Sequence, residues 1–250
     1  MKTRLSFLLL LFVYLTASCQ EEKIQADRPG ETLTPVLTKK GYFQSEIGFE
    51  KEQQNKDDYS LMHPELLIKY GLSKRFELRA ELTAESEKQY STREFQYGLK
   101  PLELGFKALL LEEKGLLPTT TLYTQVGIPA LASKDHQTTH AIPKVRLLFE
   151  NQFAKIFHLN YNVGAEWNGE ETAPRWMYSI DQEIELSKNW EVFIETFGHF
   201  QRGEAAQHTI DGGVSYFPTN NIKLDVYAGK GISKEAPDYF LSAGVSFRLK

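Results

Sequence analysis

A chain of 250 residues, 41% hydrophobic and 12% aromatic with a net charge of −4, is neither disordered nor, by charge, a nucleic-acid binder. Mean hydropathy is negative, and beyond the leader no apolar run approaches the ~18 residues that a membrane helix requires. If the mature chain crosses a bilayer, it must do so as a closed barrel whose strands satisfy one another's backbone hydrogen bonds. The lone cysteine, Cys19, excludes an internal disulfide framework and a CxxC metal site.

The chain opens with Lys2 and Arg4, an apolar core from Leu5 to Leu15 and the small residues Thr16, Ala17 and Ser18, which make residues 1–19 an export signal. Cys19 has two readings: a lipid anchor, in a lipobox whose leucine sits one place early, or a leader residue that is discarded. Residues 20–41 are polar and broken by Pro29, Gly30 and Pro35, so they form a lead-in without a strand of its own. This lead-in is long enough to fold back into the periplasmic mouth as a plug, with Asp27 and Arg28 as the plug candidates and Arg28 against an acidic wall; the alternative is a disordered lead.

From residue 42 to residue 250 the pattern has period two. Phe43, Ile47 and Phe49 oppose Gln44, Glu46 and Glu50. Leu66, Ile68 and Tyr70 oppose Glu65 and Lys69. After the turn at 71–74, Phe76, Leu78, Ala80 and Leu82 oppose Glu77, Arg79 and Glu81. A polar loop is expected over 84–100. Leu102 to Leu110 then alternates with Glu103 and Lys107, a Thr-rich strand covers 119–128, and 129–139 is a second long loop. Two strands flank a turn near 153–155, with Lys144, Arg146, Glu150, Asn160, Asn162 and Glu166 on the polar side. The next places Arg175, Asp181, Glu183 and Glu185 opposite Trp176, Tyr178 and Ile180; its neighbour carries Glu191 and Glu195. Asp211 and then Asp225 continue the polar row on two further strands, and the last, Asp238 to Lys250, sets Tyr239, Leu241, Val245, Phe247 and Leu249 against Ser242, Ser246 and Arg248. The count is about twelve antiparallel strands, each near the ~9 to 11 residues of a tilted membrane strand.

Alternation alone fits both a lipid-facing barrel and a soluble sandwich. The membrane is favoured because short turns alternate with longer polar loops, and because rings gather at strand ends: Tyr70, Phe76, Trp190 and Phe217 by the short turns, Trp167, Trp176 and Tyr239 by the long loops. The fold expected is therefore an all-β, up-and-down transmembrane β-barrel in the outer membrane of a Gram-negative cell.

Five segments carry a family likeness: ADRPGETLTP (26–35), YGLSKRFELR (70–79), GLKPLELGFKALLLEEKGLLP (98–118), YNVGAEWNGE (161–170) and APDYFLSAGVSFR (236–248). They resemble the outer-membrane transporter family named for the MetA pathway of phenol degradation, over nearly all of the mature chain. The resemblance implies a small-molecule solute, aromatic or hydrophobic; the barrel pattern itself implies outer-membrane lipid and, through the last strand, the barrel-assembly machinery as partners, and no cofactor motif is present.

If the polar rows line a lumen, Glu77, Arg79, Glu81, Glu103, Lys107, Lys144, Arg146, Arg175, Asp181, Glu183, Glu185, Glu191, Glu195, Asp211, Asp225 and Arg248 are its lining. Acids outnumber bases, which favours cations or neutral solutes over anions. Two functional readings follow. In one these charges form a selective constriction in a passive channel; in the other they are ion-pair ladders that fill a barrel serving structure or loop display. An outer-membrane lipase or protease would use His136, His140, His199 or His208 with Asp135 or Asp211, but no GxSxG or metal-binding spacing accompanies them. An enzyme is not expected.

Overall fold

The structure is a computed structural model that describes residues 22–89, 94–154 and 156–250. The export signal and Cys19, with its question of lipidation, lie outside the described residues. Thirteen strand segments follow one another: β1 (Phe43–Gln53), β2 (Tyr59–Ser73), β3 (Phe76–Gln89), β4 (Glu94–Leu99), β5 (Leu102–Leu111), β6 (Thr119–Ile128), β7 (Ile142–Ala154), β8 (Phe157–Glu166), β9 (Arg175–Glu185), β10 (Trp190–Phe200), β11 (Gln207–Thr219), β12 (Ile222–Gly231) and β13 (Tyr239–Leu249). All ladders are antiparallel, and β13 returns to β1, from Phe43↔Leu249 to Gln53↔Tyr239, so the sheet closes.

The barrel has twelve staves because β4 and β5 share one. β4 pairs with the outer part of β3 and β5 with its inner part. Between them lies Pro101, which has no N–H to give to a ladder; the Lys100 N–H still reaches the Thr83 carbonyl at 2.8 Å, so the wall stays shut.

Each strand sorts its side chains by parity. On β12, Leu224 and Val226 are 42% and 50% exposed while Lys223 and Asp225 between them are 3% exposed. The outside is a continuous apolar belt that includes Ile68, Leu104, Val145, Ile180, Ile194 and Leu241, and the interior is polar. That inversion of a soluble protein suits a wall with hydrocarbon outside. Rings pair along the rim of the short turns: Phe43 with Tyr70 at 4.6 Å, Trp190 with Tyr216 at 4.7 Å, Phe76 with Phe106 at 5.0 Å.

Two expectations need correction. The stretch 84–100 is mostly strand, since β3 runs on to Gln89 and pairs with β4 from Ala84↔Leu99 to Gln89↔Glu94. The β4 arm keeps an alternating apolar row, Phe95, Tyr97 and Leu99, but that row is only three residues long and its partner from Ala84 to Gln89 has no large apolar residue, so the period-two signal is weak while the backbone ladder persists. Phe217 does not belong to the outer ring of aromatics. It is 3% exposed and points inward, under the ammonium groups of Lys23 at 4.9 Å and Lys223 at 5.5 Å.

Candidate functional site

The interior is occupied by the chain's own lead-in. It enters beside the short turns, where Ile24 N–H donates to the Asn220 carbonyl (2.7 Å), the Arg248 guanidinium donates to the Glu22 carbonyl (2.7 Å) and Lys23 pairs with Glu185 (2.8 Å). It rises to a tip at Pro29, Gly30 and Glu31, then descends until Lys40 bridges to Gly71 at the same rim. Two prolines, Pro29 and Pro35, and an absence of alternating apolar residues keep it from joining the sheet, so its backbone groups need other partners.

Side chains of the wall supply them. Glu46 accepts the N–H groups of Asp27 (3.2 Å) and Arg28 (3.0 Å). Glu195 accepts those of Glu31 (2.8 Å) and Thr32 (2.5 Å), and the Thr32 hydroxyl besides. Asn162 makes a reciprocal pair with Leu33, accepting its N–H at 2.8 Å and donating to its carbonyl at 3.0 Å. Lys107 and Thr121 donate to the carbonyls of Thr34 and Pro35, both at 2.7 Å, and Glu77 accepts from Thr38 N–H at 2.6 Å.

At the centre Asp27 meets three cations: Lys107 at 2.5 Å, Arg79 at 2.8 Å and Lys69 at 3.4 Å. Burial alone would raise the Asp27 carboxyl, but Lys107, Lys69 and Arg79 together hold it well below its usual range. Arg28 turns the other way, to Asp225 at 3.1 Å, Glu65 at 3.5 Å and the Ser242 hydroxyl at 2.8 Å. Its guanidinium lies over the Tyr227 ring, 5.5 Å from the centroid. It also lies against Gly48 and Gly244, which face each other on β1 and β13; a Cβ on either would collide with it. At the tip, Gly30 has φ +91° and no room for a side chain beside Glu195 and Phe193.

Three cavities surround this segment. An outer vestibule of about 410 Å³ lies beyond the tip, lined by the carboxylates Glu31, Glu50, Glu52, Glu65, Glu81, Glu85, Glu103, Glu166 and Asp211 against the bases Lys100, Lys144, Arg146 and Arg175. A crevice of about 200 Å³ continues down beside the tip to Asp27, Arg79 and Leu67. A third space, of about 430 Å³, opens at the opposite rim among Pro35, Val36, Leu37 and Leu109. No residue lines both the crevice and this inner space. The Asp27 cluster lies between them.

Comparison with known proteins fits this architecture. Residues 26–249 match the family described as "Putative MetA-pathway of phenol degradation". The chain belongs to that family. Among solved structures, the COG4313 outer membrane channel from Pseudomonas putida F1 superposes with a TM-score of 0.67 at 12% identity, covering 89% of this chain and 99% of that one. The KdgM porin in complex with disordered oligogalacturonate follows at 0.56 and 12% (82% and 99% covered), and the NanC porin at 0.55 and 9% (83% and 100%). Among curated proteins, no relative matches the sequence. With its closed wall and apolar girdle, this member of the MetA-pathway family is an outer-membrane β-barrel.

In this barrel the charged residues of the polar rows point inward in two groups. Glu77, Arg79, Lys107, Asp225, Glu195, Glu185 and Arg248 meet the lead-in directly, with Asp27 and Arg28 at its centre. Glu81, Glu103, Lys144, Arg146, Arg175 and Asp211 line the vestibule, where Lys144 pairs with Glu103 at 2.8 Å and Arg146 with Glu31 at 2.7 Å as well as with Glu166. Asp181 lies in register with Glu195, which is in register with Asp211, so three carboxylates share one rung. Glu183 stands next to Asp181 on the inner row, and Glu191 pairs with Lys223 at 3.3 Å. The histidines are scattered: His136 lies 3.9 Å from Glu85, His208 meets the Tyr178 hydroxyl at 3.1 Å and His199 lines the vestibule.

Glu46, Lys69, Glu31 and Tyr227 were not singled out from sequence. Parity places the first, second and fourth inward. Nothing in the local pattern marks Glu31 as the partner of Arg146, because that contact depends on how far the lead-in climbs.

Proposed function

We propose that the protein is a passive outer-membrane channel for small solutes, aromatic, hydrophobic or cationic, and that the lead-in is its plug. The observation that carries this is the seating of residues 22–40. A barrel needing only a filled interior could pair its own inward charges across the lumen. Here the wall groups instead hydrogen-bond the backbone of a separate, covalently tethered segment, with open space above and below it. The surplus of carboxylates in the vestibule favours cations and neutral molecules over anions. The family's description adds aromatic compounds as a solute class. No enzymatic step enters this reading: His136, His199 and His208 are dispersed, and the serine hydroxyl that meets a histidine, Ser86 at 2.7 Å from the His63 ring, is given no role in it. Residues 1–19 act as the export signal, and the barrel-assembly machinery inserts residues 42–250.

The second reading, a closed barrel that stabilises the membrane or displays its loops, draws on the Asp27 cluster that separates crevice from inner space. Liposome swelling decides between the two. Protein lacking residues 20–38 should admit small neutral and cationic solutes much faster than the full mature chain. Equal, negligible swelling by both would leave only the structural role.

A further inference from the structure

The side wall of the vestibule holds a group that nothing described so far uses. Asp211 on β11 is 5% exposed and lines the vestibule, yet among the described residues no basic or neutral donor meets its carboxylate oxygens; the group it does meet is another carboxyl, that of Glu195. Its neighbours in charge are acidic: Glu195, directly opposite it in register, then Asp181 and Glu31. Two buried carboxyls in contact must share a proton or meet a cation, and at the vestibule wall the second course is open to a cationic partner supplied from outside the chain.

What surrounds it says which kind. In the ladder, Asp211 pairs with Gly229, and Gly229 with Phe240, so a residue without a side chain separates the carboxylate from an aromatic ring. Phe240 meets Phe197 at 6.4 Å and Tyr227 edge-on at 5.9 Å, and all three rings line the same cavity as Asp211. The Tyr227 hydroxyl is already committed to Glu50 at 2.9 Å and one face of its ring to Arg28, so the aromatic surface on offer is that of Phe197 and Phe240 with the remainder of the Tyr227 ring. A hard metal ion needs several converging oxygens, and among the described residues no three acids or histidines come together closely enough to hold one. A carboxylate beside aromatic faces instead suits a soft organic cation, which gains an ion pair at one end and cation–π and apolar contact at the other.

We propose that Asp211, with Phe197, Tyr227 and Phe240, forms a binding site on the vestibule wall for a small organic ammonium, an alkyl- or arylamine in its protonated form. The site rests on the channel reading in one respect only, that solutes reach the vestibule. It supplies that channel with a capture step before the plug, in which the ammonium donates to Asp211 and its carbon skeleton lies on the rings.

The test is calorimetric titration of the folded full mature chain in detergent with benzylammonium chloride, and with benzyl alcohol as the neutral isostere. Saturable binding of benzylammonium is expected, weaker for the alcohol by at least about tenfold and weakened by at least about tenfold in Asp211→Asn, since the variant keeps shape but loses the charge. Phe240→Leu should weaken it several-fold with the carboxylate intact, and serves as the reporter should Asp211→Asn fail the heat-modifiable mobility check of a folded barrel. Equal affinity for amine and alcohol, or an affinity that neither substitution changes, overturns the site. So does calcium binding that Asp211→Asn abolishes in a protein that ignores benzylammonium. Conductance of the protein lacking residues 20–38 separates this from the channel reading: amine binding without conductance sinks the channel alone, and conductance without amine binding sinks the site alone.

Discussion

The inner and outer halves of the lumen are built from the same strands by the same alternation, yet they hold opposite kinds of charge. In the inner half nearly every ionised group has a partner, and the partner is the lead-in: Asp27 answers Lys69, Arg79 and Lys107, while Arg28 answers Asp225 and Glu65. In the outer half carboxylates are in excess over bases around a cavity of about 410 Å³, and one of them, Asp211, meets no basic or neutral donor among the described residues. Desolvated charges must be paired, whereas charges facing water need not be. The difference therefore marks where the barrel is sealed and where a solute is first met.

The largest effect should come from breaking the inner pairing. In Asp27→Asn three buried cations lose their shared carboxylate, a change of the kind that costs about 3–5 kcal/mol when one member of a buried ion pair is removed. Because the strands themselves are untouched, the loss should fall on the seating of the lead-in. Planar-bilayer recordings should show brief openings that the unsubstituted protein lacks, and urea unfolding should report the lowered stability. A quiet bilayer and an unchanged midpoint would mean that the cluster is not what holds the segment.

A smaller effect is expected at Gly48. A methyl group there meets the Arg28 guanidinium, flanked by the glycine opposite, Gly244. Overpacking of this kind costs about 1–3 kcal/mol, so Gly48→Ala should open the channel less often than Asp27→Asn does. In an Arg28→Ala background, which already lacks the pairing with Asp225 and Glu65, Gly48→Ala should add no further loss of stability if the collision with the guanidinium is the whole cause.

Acid offers a third way to probe the inner half. The carboxyl of Asp27 is depressed in the folded protein, so its contribution is complete above the ordinary aspartate value of about 3.9 and fades only as pH falls from there toward the lower folded value. The stability difference between the unsubstituted protein and Asp27→Asn should thus stay constant from pH 7 to about 4 and shrink below it. A difference that shrinks already between pH 7 and 5 would contradict the cluster as described.

How legible this was in the sequence varies with what each part depends on. Parity is local, so Lys223 and Asp225 could be assigned inward, and Leu224 and Val226 outward, from spacing alone. The hairpin over 84–99 was not legible, because its one apolar row, Phe95, Tyr97 and Leu99, is short and faces a strand segment from Ala84 to Gln89 that has no large apolar residue, while the backbone ladder leaves no mark in side-chain chemistry. The composition of the lead-in shows that it cannot be a strand; the depth it reaches is set by Glu195 and Arg146, more than a hundred residues away. The isolation of Asp211 was invisible for a further reason: it depends on Gly229 and Phe240, whose meaning comes only from the register of three strands.

The smallest effect should appear in the outer half, and its smallness is the point. Glu52 and Glu85 line the vestibule, and of the two it is Glu85 that comes within ion-pair distance of a lysine, Lys100 at 3.6 Å across a partly exposed gap. Exposed pairs of this sort contribute roughly 0–1 kcal/mol, so Glu52→Gln with Glu85→Gln should leave the unfolding midpoint almost unmoved. Selectivity should respond instead. In protein lacking residues 20–38, held in a potassium chloride gradient, the reversal potential should show cation preference, and the two glutamines should reduce it. The reduction should be clear near 0.1 M salt, where screening extends about 10 Å, and nearly absent at 1 M, where it extends about 3 Å. Were the same pair to destabilise the barrel as Asp27→Asn does, the vestibule would be a second ion-pair seal, and the contrast between the two halves would fail.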